Sequence, residues 1–545
     1  MRHTFRSPTP IIAALALLAG AARSIAANCE GVQSLHLPDT TLHLAKSYAK
    51  GDVITTTVKA PVDLCRVTGT MTPSADSNIN FEVWMPSSNW TGRFVQVGNS
   101  GFAGSIVYGA LAAAVANNNA AASTDDGSSQ PPGQPGGSFA LGHPERINDY
   151  GFRAVHLTSI NSKSIINAFY GATPRYSYFN GCSKGGQEAL MEAQRFPQDF
   201  DGILAGAAAG NFTSGVSTVM WNTQQIANPS NDGFLPSANL AALARAASEQ
   251  CANAKLLPTD NFFNDPRECR FNPQVLLCTG GPGSDCLTQA QIDAVQSVLT
   301  GPTTASGRIA PGYEPEFAAP REWDGWITQP GPTPIGGTMQ ASFALGFWTN
   351  FMSPPGSLEG ADSFDINISP FKAALQFAST LNAYDPDLRK FRERGGKLIQ
   401  YHGWADPLVQ PRDSVNYFNS VVEFNDKHVH PGDALLDTQE FFRLFMAPGM
   451  GHCSGGPGLN SFGQNGGSGP PESDMFSALE KWVEQGNAPD EIIATGGAAP
   501  NTFKRPLCPY PEEARYISGN PSNADSFACA DSRVRDRLLR LGRRR

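Results

Sequence analysis

Arg175-Tyr-Ser-Tyr-Phe-Asn-Gly-Cys-Ser-Lys-Gly-Gly186 is the stretch on which the reading of this chain turns. Tyr176 to Phe179 is an aromatic, strand-like run, and Gly181-Cys182-Ser183-Lys184-Gly185 is a glycine-flanked turn. Gln187 to Gln194 is good helix-forming sequence. Strand, G-x-S-x-G and helix together make the context of a nucleophile elbow on an α/β sheet. A serine hydroxyl is a weak nucleophile, so it has to stand on a tight turn within reach of a base. Glycines on both sides let the backbone turn without a Cβ clash. The helix that follows aims its first free N–H groups at the space in front of the serine. The pentapeptide alone also fits an ordinary glycine-rich turn, so the weight falls on the rest of the chain.

Upstream, Arg93-Phe-Val-Gln-Val97 reads as a buried strand that ends in Gly98-Asn-Ser-Gly-Phe-Ala-Gly104. A glycine-rich loop in that place is where an α/β-hydrolase sheet carries its second oxyanion donor. The expected donors are the backbone N–H of Lys184 and that of Gly101 or Ser100. Downstream, an acid and a histidine should follow in that order, each just after a strand. Asp406 follows the strand 397–401, and His452 follows the strand 441–446, which gives Ser183, Asp406, His452. His402 competes, but it precedes the acid and sits at a strand end. His428 and His430 lie in a charged stretch and are expected to be solvated. The Lys184 side chain is likewise expected in solvent, as are Asp125 and Asp126 within the polar stretch 117–138.

Cys182 stands directly before Ser183, and Cys453 directly after His452. The other eight of the ten cysteines have near neighbours: Cys29 with Cys65, Cys251 with Cys269, Cys278 with Cys286, Cys508 with Cys529. An even cysteine count in an exported chain suggests disulfides. A Cys182–Cys453 bond would restrict the distance between nucleophile and base. No C-x2-C or paired-histidine spacing supports zinc, and no metal or cofactor is expected.

With 545 residues, the chain is long enough for a large core and more than one domain. A net charge of −9 argues against nucleic acid as a partner. Residues 1–27 read as a secretory signal: Arg2 and Arg6, an apolar run Ile11 to Ala22, then small residues. That run is too short to span a bilayer, and no later segment is long and apolar enough, so no membrane partner is expected. Asp52 to Val58 and Asn80 to Met85 look β-like. Between 207 and 395 the β–α alternation stops, and the segment reads as an inserted lid. The core is then 28–206 and 396–530, with a basic tail over 531–545.

Three motifs taken together resemble the tannase and feruloyl esterase family: Gly181-Cys-Ser-Lys-Gly-Gly186, Tyr401-His-Gly-Trp-Ala-Asp-Pro407 and Pro448-Gly-Met-Gly-His-Cys453. The similarity continues through Phe139 to Glu145, Tyr150 to His156, Asp265 to Cys269 and Trp482 to Pro489. The resemblance implies an α/β-hydrolase core with a large inserted lid domain. It implies a secreted or periplasmic serine esterase that cleaves small esters of phenolic or other aromatic acids, feruloyl or galloyl among them. Monoesters of terephthalate are the alternative substrates; an inactive secreted binding protein is the alternative of another class. The lid is expected to supply the acyl pocket, with Trp323, Trp326, Phe343, Phe347, Trp348 and Phe351 as candidates. Trp404 and Val409, which flank Asp406, are candidates from the core side. The family also implies a lid calcium built from Asp residues between the counterparts of Cys251 and Cys269. This chain has only Asp260 and Asp265 there, so that site is expected to be lost or weak. Oligomeric state is not legible in the sequence.

Overall fold

Strand sequences that are apolar on both faces build a sheet covered on both sides. The computed structural model describes residues 28–102, 104–130, 136–228, 231–304, 307–317, 320–331, 337–352 and 374–532. The signal reading of 1–27 and the basic stretch from 533 onward lie outside the described residues. Nine strands form one mixed sheet: β1 Thr40–Tyr48, β2 Leu64–Met71, β3 Ile79–Pro86, β4 Arg93–Val97, β5 Ala120–Thr124, β6 Tyr176–Cys182, β7 Gly202–Gly206, β8 Lys397–Gly403 and β9 Phe442–Ala447. Their order is β1-β2-β3-β5-β4-β6-β7-β8-β9. The first three strands run antiparallel to their neighbours. The six strands from β5 to β9 are parallel.

Consecutive residues of the parallel strands point to opposite faces, as the period of two requires. Phe94, Phe179, Ile203, Leu398 and Leu444 enter one buried cluster; Val95, Tyr178, Leu204, Ile399 and Phe445 enter the other. Helix α1 (Tyr108–Ala116) lies over the second face. Helices α2 (Ala154–Tyr170) and α3 (Lys184–Arg195) cover the first. This is the α/β core expected from the elbow.

The segment between β7 and β8 contributes no strand to this sheet among the described residues. It holds α4 (Phe212–Asn222), α5 (Leu240–Gln250), α6 (Gln289–Thr300) and α7 (Met339–Asn350). Helix α6 opens with a capping box in which Thr288 and Gln291 satisfy each other's backbone N–H. Ile226, Leu243, Val295, Phe317 and Trp323 form a separate apolar cluster here. After β8 and β9, helices α8 (Pro411–His428) and α9 (Met475–Gln485) return to opposite faces of the sheet. A hairpin of Glu512–Tyr516 and Phe527–Asp531 lies at the end of the described residues.

Two expectations are corrected. Asp52 to Val58 is a turn rather than a strand, because Thr55 Oγ1 and the Thr55 N–H are spent on Val58. The stretch 117–138 is not simply a polar loop: it contains β5, five fully buried residues in mid-sheet, and the Asp125 and Asp126 that follow it are buried, not solvated. The four disulfides expected between neighbouring cysteines are present, Cys29–Cys65, Cys251–Cys269, Cys278–Cys286 and Cys508–Cys529, and so is Cys182–Cys453 between the residues that flank Ser183 and His452. So many disulfides fit an oxidising compartment outside the cytoplasm. No helix among the described residues is long and apolar enough to cross a membrane.

Candidate active site

Ser183 sits between β6 and α3 with φ +66° and ψ −117°, a backbone conformation that L-residues rarely adopt. The turn is possible because glycines stand at 181, 185 and 186. A Cβ on Gly181 would lie 2.6 Å from the Gly185 backbone, and one on Gly186 would lie 2.3 Å from the Gly206 carbonyl. The Ser183 N–H donates to Gly206 O, at the end of β7, and the Gly185 N–H donates to Asn99 O at 2.8 Å. The elbow is thereby pinned to both neighbouring strand ends.

The 98–101 loop is held just as firmly. Glu188 Oε2 accepts the Asn99 N–H at 3.0 Å, Asn99 Nδ2 donates to Thr124 O, and the Tyr150 hydroxyl donates to Gly101 O at 2.9 Å. Gly101 has φ +57° and lines one cavity together with Ser183 and Lys184. Ser100 is exposed and does not line it, so Gly101 is the better placed of the two expected donors. Among the described residues the Lys184 N–H, first in its helix, has no acceptor.

The Lys184 side chain is not solvated as expected. It is 2 % exposed, 2.8 Å from Glu188 Oε1 and 3.6 Å from Asp126 Oδ2, with its ammonium 4.4 Å from the centre of the Tyr150 ring. Burial, reinforced by the Glu188 charge, pushes the Asp126 carboxyl well above the usual range, although Lys184 acts in the other direction. This cluster is structural: it ties β5, α3 and the 98–101 loop together behind the serine. Lys184→Met should therefore destabilise the fold by at least about 3 kcal/mol, because the buried Glu188 carboxylate loses its cation. A denaturation midpoint equal to wild type would refute that.

Asp406 and His452 come from the loops after β8 and β9. Ala405 N donates to Met450 O, and Trp404 N to Ala447 O, so the two loops are laced together. Gly403 has no room for a Cβ, which would sit 2.2 Å from Met450 O. His452 Nδ1 is 2.7 Å from Asp406 Oδ2, and His402 Nε2 is 3.1 Å from the same oxygen. Asp406 Oδ1 accepts the N–H groups of Leu408 and Val409. Burial alone would raise the Asp406 pKa, but His452 beside it and the bond from His402 hold it well below the ordinary carboxylate range. His402 therefore supports the acid instead of competing with His452. Of the two remote histidines, His430 is exposed and paired with Asp437, and His428 ends α8. Cys453, at φ +63°, bonds Cys182 with their Cα atoms 5.9 Å apart, which joins the serine and histidine loops covalently.

Two neighbours of His452 come from the 207–395 segment. The Trp326 ring stands edge-on to His452 with centroids 5.6 Å apart. Glu322 packs over Gly451, where a Cβ would lie 2.1 Å from its Oε2. Burial and the nearby Asp406 charge, opposed by His452, push the Glu322 carboxyl up to about 7.

A cavity opens in front of Ser183. Phe212, Val216 and Val219 of α4 line it, with Phe343, Leu408 and Val409 opposite. Trp323, Phe347, Trp348 and Trp404 do not line it. Trp323 packs on Phe317 in the cluster of the inserted segment, Phe347 and Trp348 are edge to face in another buried cluster, and Trp404 lies under the Arg267 guanidinium. Nor do Asp260 and Asp265 suit calcium: Asp260 is held by two nitrogens of Arg505, and Asp265 by Arg267. With both carboxylates spent on guanidinium groups, the donor set falls short of the six or so oxygens that calcium takes.

A family model described as tannase and feruloyl esterase matches residues 65–530. The chain belongs to the tannase and feruloyl esterase family. An uncharacterized esterase of Xanthomonas campestris pv. campestris is 39% identical over 540 residues, 93% of this chain and 92% of that protein. The mono(2-hydroxyethyl) terephthalate hydrolase of Piscinibacter sakaiensis is 30% identical, over 83% of this chain and 81% of its own length. The crystal structure of feruloyl esterase B from Aspergillus oryzae superimposes with a TM-score of 0.82 at 25% identity, covering 92% of this chain and 99% of that one. As a member of this esterase family the chain is a carboxylic ester hydrolase, and its sheet and helices are those of an α/β-hydrolase.

Proposed function

We propose that this tannase/feruloyl esterase-type hydrolase is an exported serine esterase that cleaves small esters of phenolic or other aromatic acids through an acyl-serine. The observation that carries the reading is the Asp406–His452 pair at 2.7 Å, tied through Cys453–Cys182 to the residue before a strained Ser183. With Nδ1 turned to Asp406, His452 presents Nε2 as the base that takes the Ser183 proton on attack at the ester carbonyl. Asp406 fixes that tautomer and stabilises the imidazolium. The N–H groups of Lys184 and Gly101 receive the oxyanion; one such donor supplies about 3 kcal/mol of barrier lowering. His452 then protonates the leaving alcohol, and water releases the acid. The segment 207–395 acts as a lid that supplies α4 to the acyl pocket, and five disulfides support export to the periplasm or beyond. The terephthalate relative makes aromatic monoesters a second reading.

The test is release of free acid from methyl gallate, methyl ferulate, chlorogenate and mono(2-hydroxyethyl) terephthalate. It is run before and after treatment with a serine-directed phosphonate. Turnover of at least one, abolished as one phosphonate attaches to the peptide carrying Ser183, is the expected result. Folded, oxidised protein that cleaves none of the four would sink the aromatic-ester reading. Labelling at another residue would sink the assignment of the nucleophile.

A further inference from the structure

The cavity before Ser183 is mostly apolar in its lining, but Asn211, Gln410 and Asp413 line it too, with Asp413 beside Asn211 and its N–H donating to Gln410 O. Gln410 is 1 % exposed, and its Nε2 has no hydrogen-bond partner among the described residues. A buried amide that donates to nothing is uncommon, and it invites a ligand oxygen. Asp413, in the first turn of α8, is 6 % exposed, with Asn211 as its polar neighbour. Burial pushes the Asp413 carboxyl up to about 7, with Asn211 pulling it the other way. Among the described residues the only cation lining the cavity is Lys184, and its ammonium is spent on Glu188 and Asp126.

These groups can satisfy a hydroxyl in both directions. A phenolic O–H gives its proton to the Asp413 carboxylate or the Asn211 carbonyl, and its oxygen accepts from Gln410 Nε2. A ligand carboxylate would meet the Asp413 carboxyl in a low-dielectric pocket with no free cation to offset its charge. We infer that the Asn211–Gln410–Asp413 group in the cavity selects aromatic acids that carry a ring hydroxyl and rejects those that carry a second carboxylate. This rests on the aromatic-ester reading above and names, within it, the residues that choose the acid. It also separates the two substrate classes represented among the relatives: hydroxylated cinnamate-type esters fit, and terephthalate monoesters do not.

Two pairs of esters test it as ratios of kcat/KM on the same preparation. Methyl 4-hydroxycinnamate should exceed methyl cinnamate by at least about tenfold, since a site built around a substrate hydroxyl discriminates against its absence. Dimethyl terephthalate should exceed monomethyl terephthalate, which carries the charge, by at least about 100-fold, the size expected when a buried charge goes unpaired. Gln410→Met should bring the first ratio down at least about threefold, and Asp413→Asn should move the second at least about tenfold toward the charged ester. Should neither variant fold, the wild-type ratios decide alone. Wild-type turnover of all four esters without discrimination overturns the selection proposed for these residues while the aromatic-esterase reading stands. Cleavage of ethyl butyrate but none of the four overturns both.

Discussion

Asp406→Asn is expected to lower kcat/KM about 10⁴-fold, the loss typical when the acid of a serine triad can no longer fix the histidine tautomer. The local geometry says why. Asp406 Oδ1 is committed to the N–H groups of Leu408 and Val409. An asparagine keeps those bonds with its carbonyl oxygen and must then place its NH₂ where Oδ2 now meets both His452 Nδ1 and His402 Nε2. His452 would have to accept at Nδ1 and carry its proton on Nε2, the wrong atom for the base proposed above to deprotonate Ser183. The damage should appear in kcat and leave KM nearly as it was, because Asp406 does not line the cavity. Retention of activity within about tenfold would mean that another carboxyl orients His452, and Glu322 is the one at hand. The pH profile adds an independent check. The Asp406 pKa is depressed, so its contribution to stability is complete above the ordinary carboxylate range and is lost only as pH falls through the lower, folded value. An acid limb of activity at or above that ordinary range therefore does not arise from Asp406.

What could be read from the sequence is what local sterics and chemistry write into a few adjacent residues. The elbow was legible because Gly181, Gly185 and Gly186 face backbone at distances that leave no room for a Cβ. The pairing of Asp406 with His452, 2.7 Å apart, was legible from their order after two apolar strands. Strand β5 was not: Ala120-Ala-Ala-Ser-Thr124 has little β propensity, and its place between β3 and β4 is imposed by tertiary burial. The charge cluster was half legible. Lys184 and Glu188 stand at i,i+4 spacing on one helix, but Asp126 reaches them from a loop 58 residues upstream, which no local pattern reports. Large aromatics are a poor guide to the lining of the cavity before Ser183, since Trp323, Phe347 and Trp348 fill cores and do not line it. The better signal was the i, i+4, i+7 stripe of Phe212, Val216 and Val219, one face of a helix placed immediately after β7. Gln410 and Asp413, four and seven residues past Asp406, carried no signal of their own until the fold turned them into the same cavity.

Loss of the Cys182–Cys453 bond, in a paired Cys182→Ser/Cys453→Ser variant, is expected to cost about 5 kcal/mol of stability on the chain-entropy account. This bond spans 271 residues, whereas the other four span 36, 18, 8 and 21, so none of them restrains the same long loop in the unfolded chain. Stability is only part of the expectation. The bond joins the residue before Ser183 to the residue after His452, and both Ser183 and Cys453 sit at positive φ. Without it each loop can relax toward ordinary backbone geometry, and a misplacement of about 1 Å between nucleophile and base costs on the order of 100-fold in rate. The variant should therefore show a fall of about that size in kcat at a temperature where it is still fully folded, with KM changed much less. The control is Cys508→Ser/Cys529→Ser, which removes a disulfide outside the site described above. It should lower the denaturation midpoint while kcat stays within about threefold of wild type, since entropy of the unfolded chain is all that it changes. If both double variants lose kcat equally, the bond beside Ser183 acts only through global stability. If the Cys182–Cys453 variant alone loses kcat, the covalent tie between the two loops is part of how the enzyme keeps its base within reach of its nucleophile.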